Sequence, residues 1–392
     1  MAIKIYDTLT RKKRDFEPLE EGKVGMYVCG ITVQDRPHVG HIRSVVVNDT
    51  IRRYLEHRGF EVTFVWNFTD VDDKILERAR EEGIEYHEVA QRNIDAYYRV
   101  ADALAVKRAS VTPRATEHIQ EILDLIKRLE ERDFAYPAGG DVYYDVRRKN
   151  DYGKLSRRAV DDLRSGARIA VGEEKRDPLD FALWKGAKEG EVFWESSYGP
   201  GRPGWHIECS AMSMKYLGET FDIHGGGQDL VFPHHENEIA QSEAATGKPF
   251  ARNWVHHGMV NLGGEKMSKS EKRFSLAEDI LAEIDPEVVR FYLLSTHYRS
   301  PIEFSPERLA EARVALDRIR QPLERFGGFD ADSSSEPAGE MADVVAEVDR
   351  LFHEAMDDDF NTAKALGHLF ELARAVNRTA EGGDTVQARA GA

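Results

Sequence analysis

The stretch "VGMYVCGITVQDRPHVGHIRSVVVNDTIRRYLEHRGFEVTFVW", residues 24–66, decides the fold. Residues 24–28 read as a short buried strand, and Ile42, Val45, Val46, Ile51 and Leu55 follow with a mostly helical spacing that ends at Gly59. Val62, Phe64 and Trp66 then alternate as in a second strand. Strand, helix, strand predicts a parallel sheet, whose ligands sit beyond the carboxyl ends of the strands. Cys29 and "NFTD", residues 67–70, both fall on that edge.

The pattern returns later in the chain. Residues 114–133 predict an amphipathic helix through Ile119, Ile122, Leu123, Ile126 and Leu129, and an irregular, strand-containing insertion follows to about residue 190. "FDI" at 221–223 then feeds "HGGGQDL", a helix beginning near "HHENEIAQSEAA" and a strand around "NWVHH". After residue 326, "GGFDADSSSEPAGE" reads as a linker, with one or two helices beyond it and an unstructured tail. The expected divisions are 1–115 and 196–256 for the two halves of the sheet domain and 116–195 for the insertion. Residues 257–326 form a following region, and 327–392 hold the linker, partial helical bundle and tail.

Composition narrows the function. A formal charge of -16 argues against nonspecific coating of nucleic acid, so any such contact must be local. One candidate is "RRKNDYGKLSRR", residues 147–158, with six Lys or Arg against one Asp, although charge pattern alone favours a solvated basic loop. The opening "MAIKIYDTLT" lacks a signal peptide's apolar run, and no segment approaches the roughly 18 apolar residues of a membrane span. A cytoplasmic location is expected, in which the only two cysteines, Cys29 and Cys209, stay reduced.

Those thiols have partners. His234 and Glu238 lie four apart on a helical segment, a spacing that turns both side chains to one face. With Cys29 and Cys209 they make a donor set that zinc accepts, drawn from distant segments as at a cleft between two halves of a sheet. Such a His/Glu pair also occurs in many helices, and single buried cysteines are ordinarily inert. Two further stretches suit phosphate. "HVGH", residues 38–41, opens a helix whose free N–H groups favour anions, with imidazoles able to donate to phosphate oxygens. "KMSKS", residues 266–270, puts Lys266 and Lys269 on a loop after "LGGE", able to close on a triphosphate.

Taken together, "CGITVQDRPHVGH", "NFTDVDDKI", "DFALWK", "GRPGWHIECSAMS", "HGGGQDLVFPHHENEIAQSE", "WVHHGMV" and "KMSKS" resemble the class I cysteinyl-tRNA synthetases, in order from about residue 3 to residue 310. "MDDDFNTAKAL" at 356–366 is a further echo, and Val39 stands where the family commonly has isoleucine. The resemblance implies an α/β fold. Its core is a Rossmann-type parallel-sheet nucleotide-binding domain, with an inserted connective domain and a C-terminal helical region. It implies zinc on Cys29, Cys209, His234 and Glu238, and phosphate stabilisation by His38, His41, Lys266 and Lys269 with Mg2+. Gly30, Thr32, Gly40, Asp229, Met267, Ser268 and Ser270 correspond to nucleotide-binding positions. Thr69, Trp205 and Asp229 correspond to positions lining the amino-acid pocket.

The implied reaction activates L-cysteine with ATP and transfers it to tRNA(Cys), by a monomer and without a membrane partner. The family continues into an anticodon-reading domain, which this sequence is expected to lack. Two other functions stay open at this point. One is a zinc-dependent ligase joining cysteine to an amino sugar in mycothiol synthesis, and the other is a noncatalytic tRNA- or nucleotide-binding paralogue. The intact signatures and the basic run favour the tRNA ligase.

Overall fold

The structure is a computed structural model and describes residues 2–158, 174–262, 276–327 and 337–391. Its central sheet has the order β10-β9-β3-β4, with β3 at Lys23–Thr32, β4 at Glu61–Thr69, β9 at Phe221–Gly227 and β10 at Ala251–His257. All three pairings are parallel. The helix Val39–His57 joins β3 to β4, and the helix His234–Thr246 joins β9 to β10. The two units run outward in opposite directions from the β3–β9 junction. A crevice opens where the strand order reverses, at the carboxyl ends of those two strands.

The strands are buried on both faces, which is why they read as near-continuous apolar runs. Val24, Met26 and Val28 of β3 pack with Val62, Phe64 and Trp66 of β4 and with Val45, Val47 and Ile51 of the intervening helix. That helix starts at Val39, because His38 caps it through Nδ1, which accepts from the Gly40 N–H at 3.1 Å. The expected strand, helix and strand are all present.

The insertion is more regular than the sequence suggests. An antiparallel sheet of order β5-β6-β7-β8 is formed by Ala135–Ala138, Asp141–Tyr144, Phe181–Gly186 and Gly201–Pro203. The amphipathic helix runs over Ile119–Glu130 and buries Ile122, Leu125, Ile126 and Leu129 against it. Ile207 and Ala240 enter the same core, so the insertion braces the helices Trp205–Leu217 and His234–Thr246.

All six basic side chains of the run have partners within the protein, while Arg147, Arg148, Arg157 and Arg158 remain exposed to solvent. Arg147 pairs with Asp177 at 2.9 Å, Arg148 with Asp133 at 3.4 Å, and Lys149 with Glu243 at 3.0 Å. Lys154 also pairs with Glu243, Arg157 donates to the Leu9 carbonyl at 2.8 Å, and Arg158 lies over the Phe232 ring. Glu236 accepts from the Ser156 N–H at 2.8 Å, fastening this loop to the helix that carries His234 and Glu238.

The C-terminal region comprises the helices Glu340–Asp357, Thr362–Glu381 and Thr385–Gly391. The last of these corrects the expectation of an unstructured tail. Asp384 accepts from the Gln387 N–H at 3.0 Å as a helix cap does, while Ala388 is buried with Met341 and Val376. No helix among the described residues is long and apolar enough to cross a membrane.

Candidate active site and metal centre

The site begins at an irregularity in β3. The pairing of β3 with β4 shifts between Val28 and Ile31, and Cys29 and Gly30 occupy the break. A register shift of this kind re-aims the side chain it contains. Gly30 makes the shift sterically feasible, since a Cβ there would lie 1.6 Å from the Asn67 carbonyl oxygen. Its N–H donates to Asn67 Oδ1 at 2.9 Å, fastening the break to the end of β4.

The other donors arrive from the second half of the sheet domain. Cys209 sits on the helix Trp205–Leu217, and His234 and Glu238 occupy successive turns of the helix His234–Thr246. Cys29 Sγ donates to Glu238 Oε1 at 3.2 Å, and His234 Nε2 lies 3.1 Å from the same oxygen. The ligand atoms of Cys29, Cys209, His234 and Glu238 all lie within 4.8 Å of one another, and all four residues are buried. Four residues separated by up to 209 positions in sequence thus meet at one point.

The electrostatics of this cluster are compatible with a bound cation. Burial pushes the Cys29 thiol well above its ordinary range, and the neighbouring Cys209 and Glu238 push it further. Burial also raises Glu238, but His224 and His234 more than offset it and leave the carboxyl below its ordinary value. Burial lowers His234 to about 3, so its imidazole is neutral and able to ligate. Two thiols, a carboxylate and a neutral imidazole suit zinc, whose charge would favour the thiolates that this burial disfavours.

Sequence reasoning missed several neighbours of the cluster. His206 Nδ1 lies 2.9 Å from His234 Nδ1 and leaves Nε2 for the site, as an outer partner of a ligating histidine does. His224 Nε2 contacts Glu238 Oε2 at 2.8 Å. Thr69 donates to Glu208 Oε2 at 2.8 Å, and burial raises the Glu208 carboxyl well above its ordinary value. One signal was available, because six of the 14 histidines fall within residues 206–257. Trp205 is 38% exposed and stacks on His234 with ring centroids 4.4 Å apart, forming the open wall of the cluster.

The two histidines that the sequence suggests for phosphate share the same sheet edge. The rings of His38 and His41 stack with centroids 3.6 Å apart. His38 Nδ1 accepts from Gly40 N–H, and His41 Nδ1 accepts from His38 N–H, both at 3.1 Å. Each ring therefore carries its proton on Nε2. Burial depresses both, His41 to about 3, so the donors are neutral.

Thr32 ends β3, and the exposed Asp229 lies in the turn after β9, where its charge acts on His38. Lys266, Met267, Ser268, Lys269 and Ser270 lie outside the described residues. The chain resumes beside His38, where Leu276 bridges to His38 and the Ala277 N–H donates to the Pro37 carbonyl at 2.8 Å.

Comparison with known proteins agrees with this geometry. A family profile described as "tRNA synthetases class I (C) catalytic domain" matches residues 15–314, and one described as "DALR domain" matches residues 351–392. A protein of Geobacter sulfurreducens named cysteine-tRNA ligase is 56% identical over 97% of this chain and 80% of its own length. Its namesake from Geobacillus thermodenitrificans is 54% identical over 96% of this chain and 81% of its own. Among solved structures, a Mycobacterium tuberculosis methionyl-tRNA synthetase in complex with methionyl-adenylate aligns with a TM-score of 0.71 at 16% identity. That alignment covers 94% of this chain and 88% of the other and speaks to the fold.

Proposed function

The chain belongs to the class I (C) tRNA synthetases, and from that premise we infer that it is a cysteine-tRNA ligase, an ATP-dependent aminoacyl-tRNA ligase. The cysteine carboxylate attacks the ATP α-phosphate to give cysteinyl-adenylate and pyrophosphate, and the 3′ end of tRNA(Cys) then takes the acyl group. One observation carries the reading: Cys29, Cys209, His234 and Glu238 converge on the same sheet edge as the His38–His41 pair. A cluster suited to a thiol thus lies in the same crevice as a nucleotide signature.

The residues divide the work. His38 and His41 present Nε2–H groups to the phosphate oxygens where charge develops, already oriented by the backbone bonds to Nδ1. Lys266 and Lys269 add positive charge, and Mg2+ accompanies the triphosphate. Gly30, Thr32, Gly40, Met267, Ser268 and Ser270 frame the nucleotide. Trp205 closes the amino-acid pocket, Thr69 is oriented there by Glu208, and Asp229 offers a carboxylate to the substrate's ammonium group. Held by Cys29, Cys209, His234 and Glu238, zinc supplies a partner for the substrate thiolate that the poorly ionised hydroxyl of serine cannot match.

The domain divisions read from the sequence, a monomer and a cytoplasmic address complete the proposal, the last supported by two free buried cysteines. The test is ATP–pyrophosphate exchange driven by cysteine or serine, together with charging of tRNA(Cys). Exchange with cysteine, little with serine, and cysteine-charged tRNA are expected. Exchange without charging would point to another acceptor, and equal rates with serine would overturn the thiol-selective site.

A further inference from the structure

Behind the four residues assigned to zinc lies a second layer of imidazoles that the reaction does not use. His224, on β9, and His235, beside His234, are both 0% exposed. Trp254 holds the His224 ring by stacking at 4.4 Å, and His235 Nδ1 lies 2.8 Å from His256 Nε2. His256 Nδ1 in turn meets the Thr8 hydroxyl at 2.8 Å. With that hydroxyl accepting, protons sit on His256 Nδ1 and His235 Nδ1, and the lone pair of His235 Nε2 faces the site.

Nothing among the described residues satisfies that lone pair. His235 Nε2 and His224 Nδ1 are buried with no hydrogen-bond partner among the described residues. His235 Nε2 stands 4.0 Å from Glu238 Oε1, too far for a hydrogen bond. Orphaned buried nitrogens are uncommon and require an explanation. A cation between His235 Nε2 and Glu238 would satisfy the His235 nitrogen, with His224 facing it through Nε2, which lies 2.8 Å from Glu238 Oε2. The ligand atoms of Cys29, His224, His235 and Glu238 do lie within 4.8 Å of one another.

We propose that Cys29, His224, His235 and Glu238 form a second seat for a zinc-class divalent cation, sharing Cys29 and Glu238 with the first seat and filled in alternation with it. The proposal rests on the first set being a metal site. Charge supports it. Two thiolates and a carboxylate outweigh a divalent cation by one unit, whereas one thiolate and a carboxylate balance it, and a buried site favours the neutral cluster. Position separates the two seats. The first borders the exposed Trp205, while the second lies against the buried Trp254, so an ion in it is farther from the open wall.

Cobalt(II) binding to the metal-free full chain tests the proposal, because thiolate-to-cobalt absorption counts sulfur ligands. The wild type should bind one cobalt. Cys209→Ala, which removes a ligand of the first seat alone, should still bind one, with no more than one thiolate's share of that absorption. Adding His235→Ala should then weaken binding at least tenfold, whereas His235→Ala alone should change it less than about threefold. Loss of cobalt from a Cys209→Ala chain that keeps its circular dichroism would overturn the second seat, as would indifference of that chain to His235→Ala. A wild type that binds no cobalt would bring down the first seat as well.

If Cys209→Ala does not fold, X-ray absorption of the zinc-loaded wild type decides. Fewer than two sulfurs per zinc, rising towards two in His235→Gln, is expected. Two sulfurs in both proteins would overturn the proposal.

Discussion

Gly30 has no room for a side chain, and its neighbour Cys29 is aimed by the same crowding. A Cβ at position 30 would overlap the carbonyl of Asn67, a residue of β4 that is itself only 1% exposed and so has little room to retreat. Gly30→Ala should therefore cost about 3 kcal/mol or more, at the upper end of overpacking penalties, and should displace Cys29 as well. Urea unfolding gives the first effect and cobalt or zinc stoichiometry the second. A variant with unchanged midpoint and metal content would show that the strand yields easily. At this scale the sequence was informative about residue type: Cys29, Cys209, His234 and Glu238 were all singled out from chemistry and spacing. It was silent on Glu208, Asn67 and His224, because a carboxyl, an amide or an imidazole acquires its role only from what packs against it.

Elements are joined by a residue whose importance the sequence signalled only as part of "MDDDFNTAKAL". Asp359 and Phe360 adopt left-handed backbone conformations, with φ of 67° and 52°, in the turn between the helices Glu340–Asp357 and Thr362–Glu381. Asp359 Oδ1 accepts from the Tyr6 N–H and the Tyr298 hydroxyl, both at 2.8 Å, and Oδ2 accepts from Arg299 Nε at 2.7 Å. One fully buried carboxylate thus ties β1 (Lys4–Asp7), the 298–299 turn and the C-terminal helices together. Asp359→Ala leaves the arginine and both other donors unpaired and should destabilise by about 3–5 kcal/mol. Asp359→Asn keeps an accepting oxygen and tolerates the left-handed backbone, so it should cost less. Urea midpoints for the two variants check the order, and equal losses would show that the charge matters more than the acceptor geometry. The final helix was missed because Ala388 and Gly391 show no apolar stripe, and their burial depends on Met341 coming to meet them.

The whole molecule concentrates neutral histidines at one edge of an acidic protein, and this sets its response to pH. Burial lowers His257 to about 4 and pushes His235 and His256 well below the ordinary histidine value. A histidine whose folded pKa is depressed contributes stability that is complete above its unfolded value of about 6.5, fades as pH falls below it and is lost once pH has passed through the folded value. Between pH 7 and pH 5, His257 alone should cost about 2 kcal/mol, with His235 and His256 adding in the same direction. Urea unfolding of the metal-free protein at the two pH values measures this, and a flat profile would contradict the burial of these rings. By itself the sequence determined the parallel strand-helix-strand units, the edge on which a site would lie and the residue types able to hold a metal and a phosphate, because periodicity and donor chemistry are local. Only the tertiary structure decided that the insertion forms an ordered sheet, that the basic run finds its partners within the protein and that a second layer of imidazoles backs the metal set. Each of these depends on contacts between residues far apart in the chain, where packing and desolvation, rather than spacing, assign the partner.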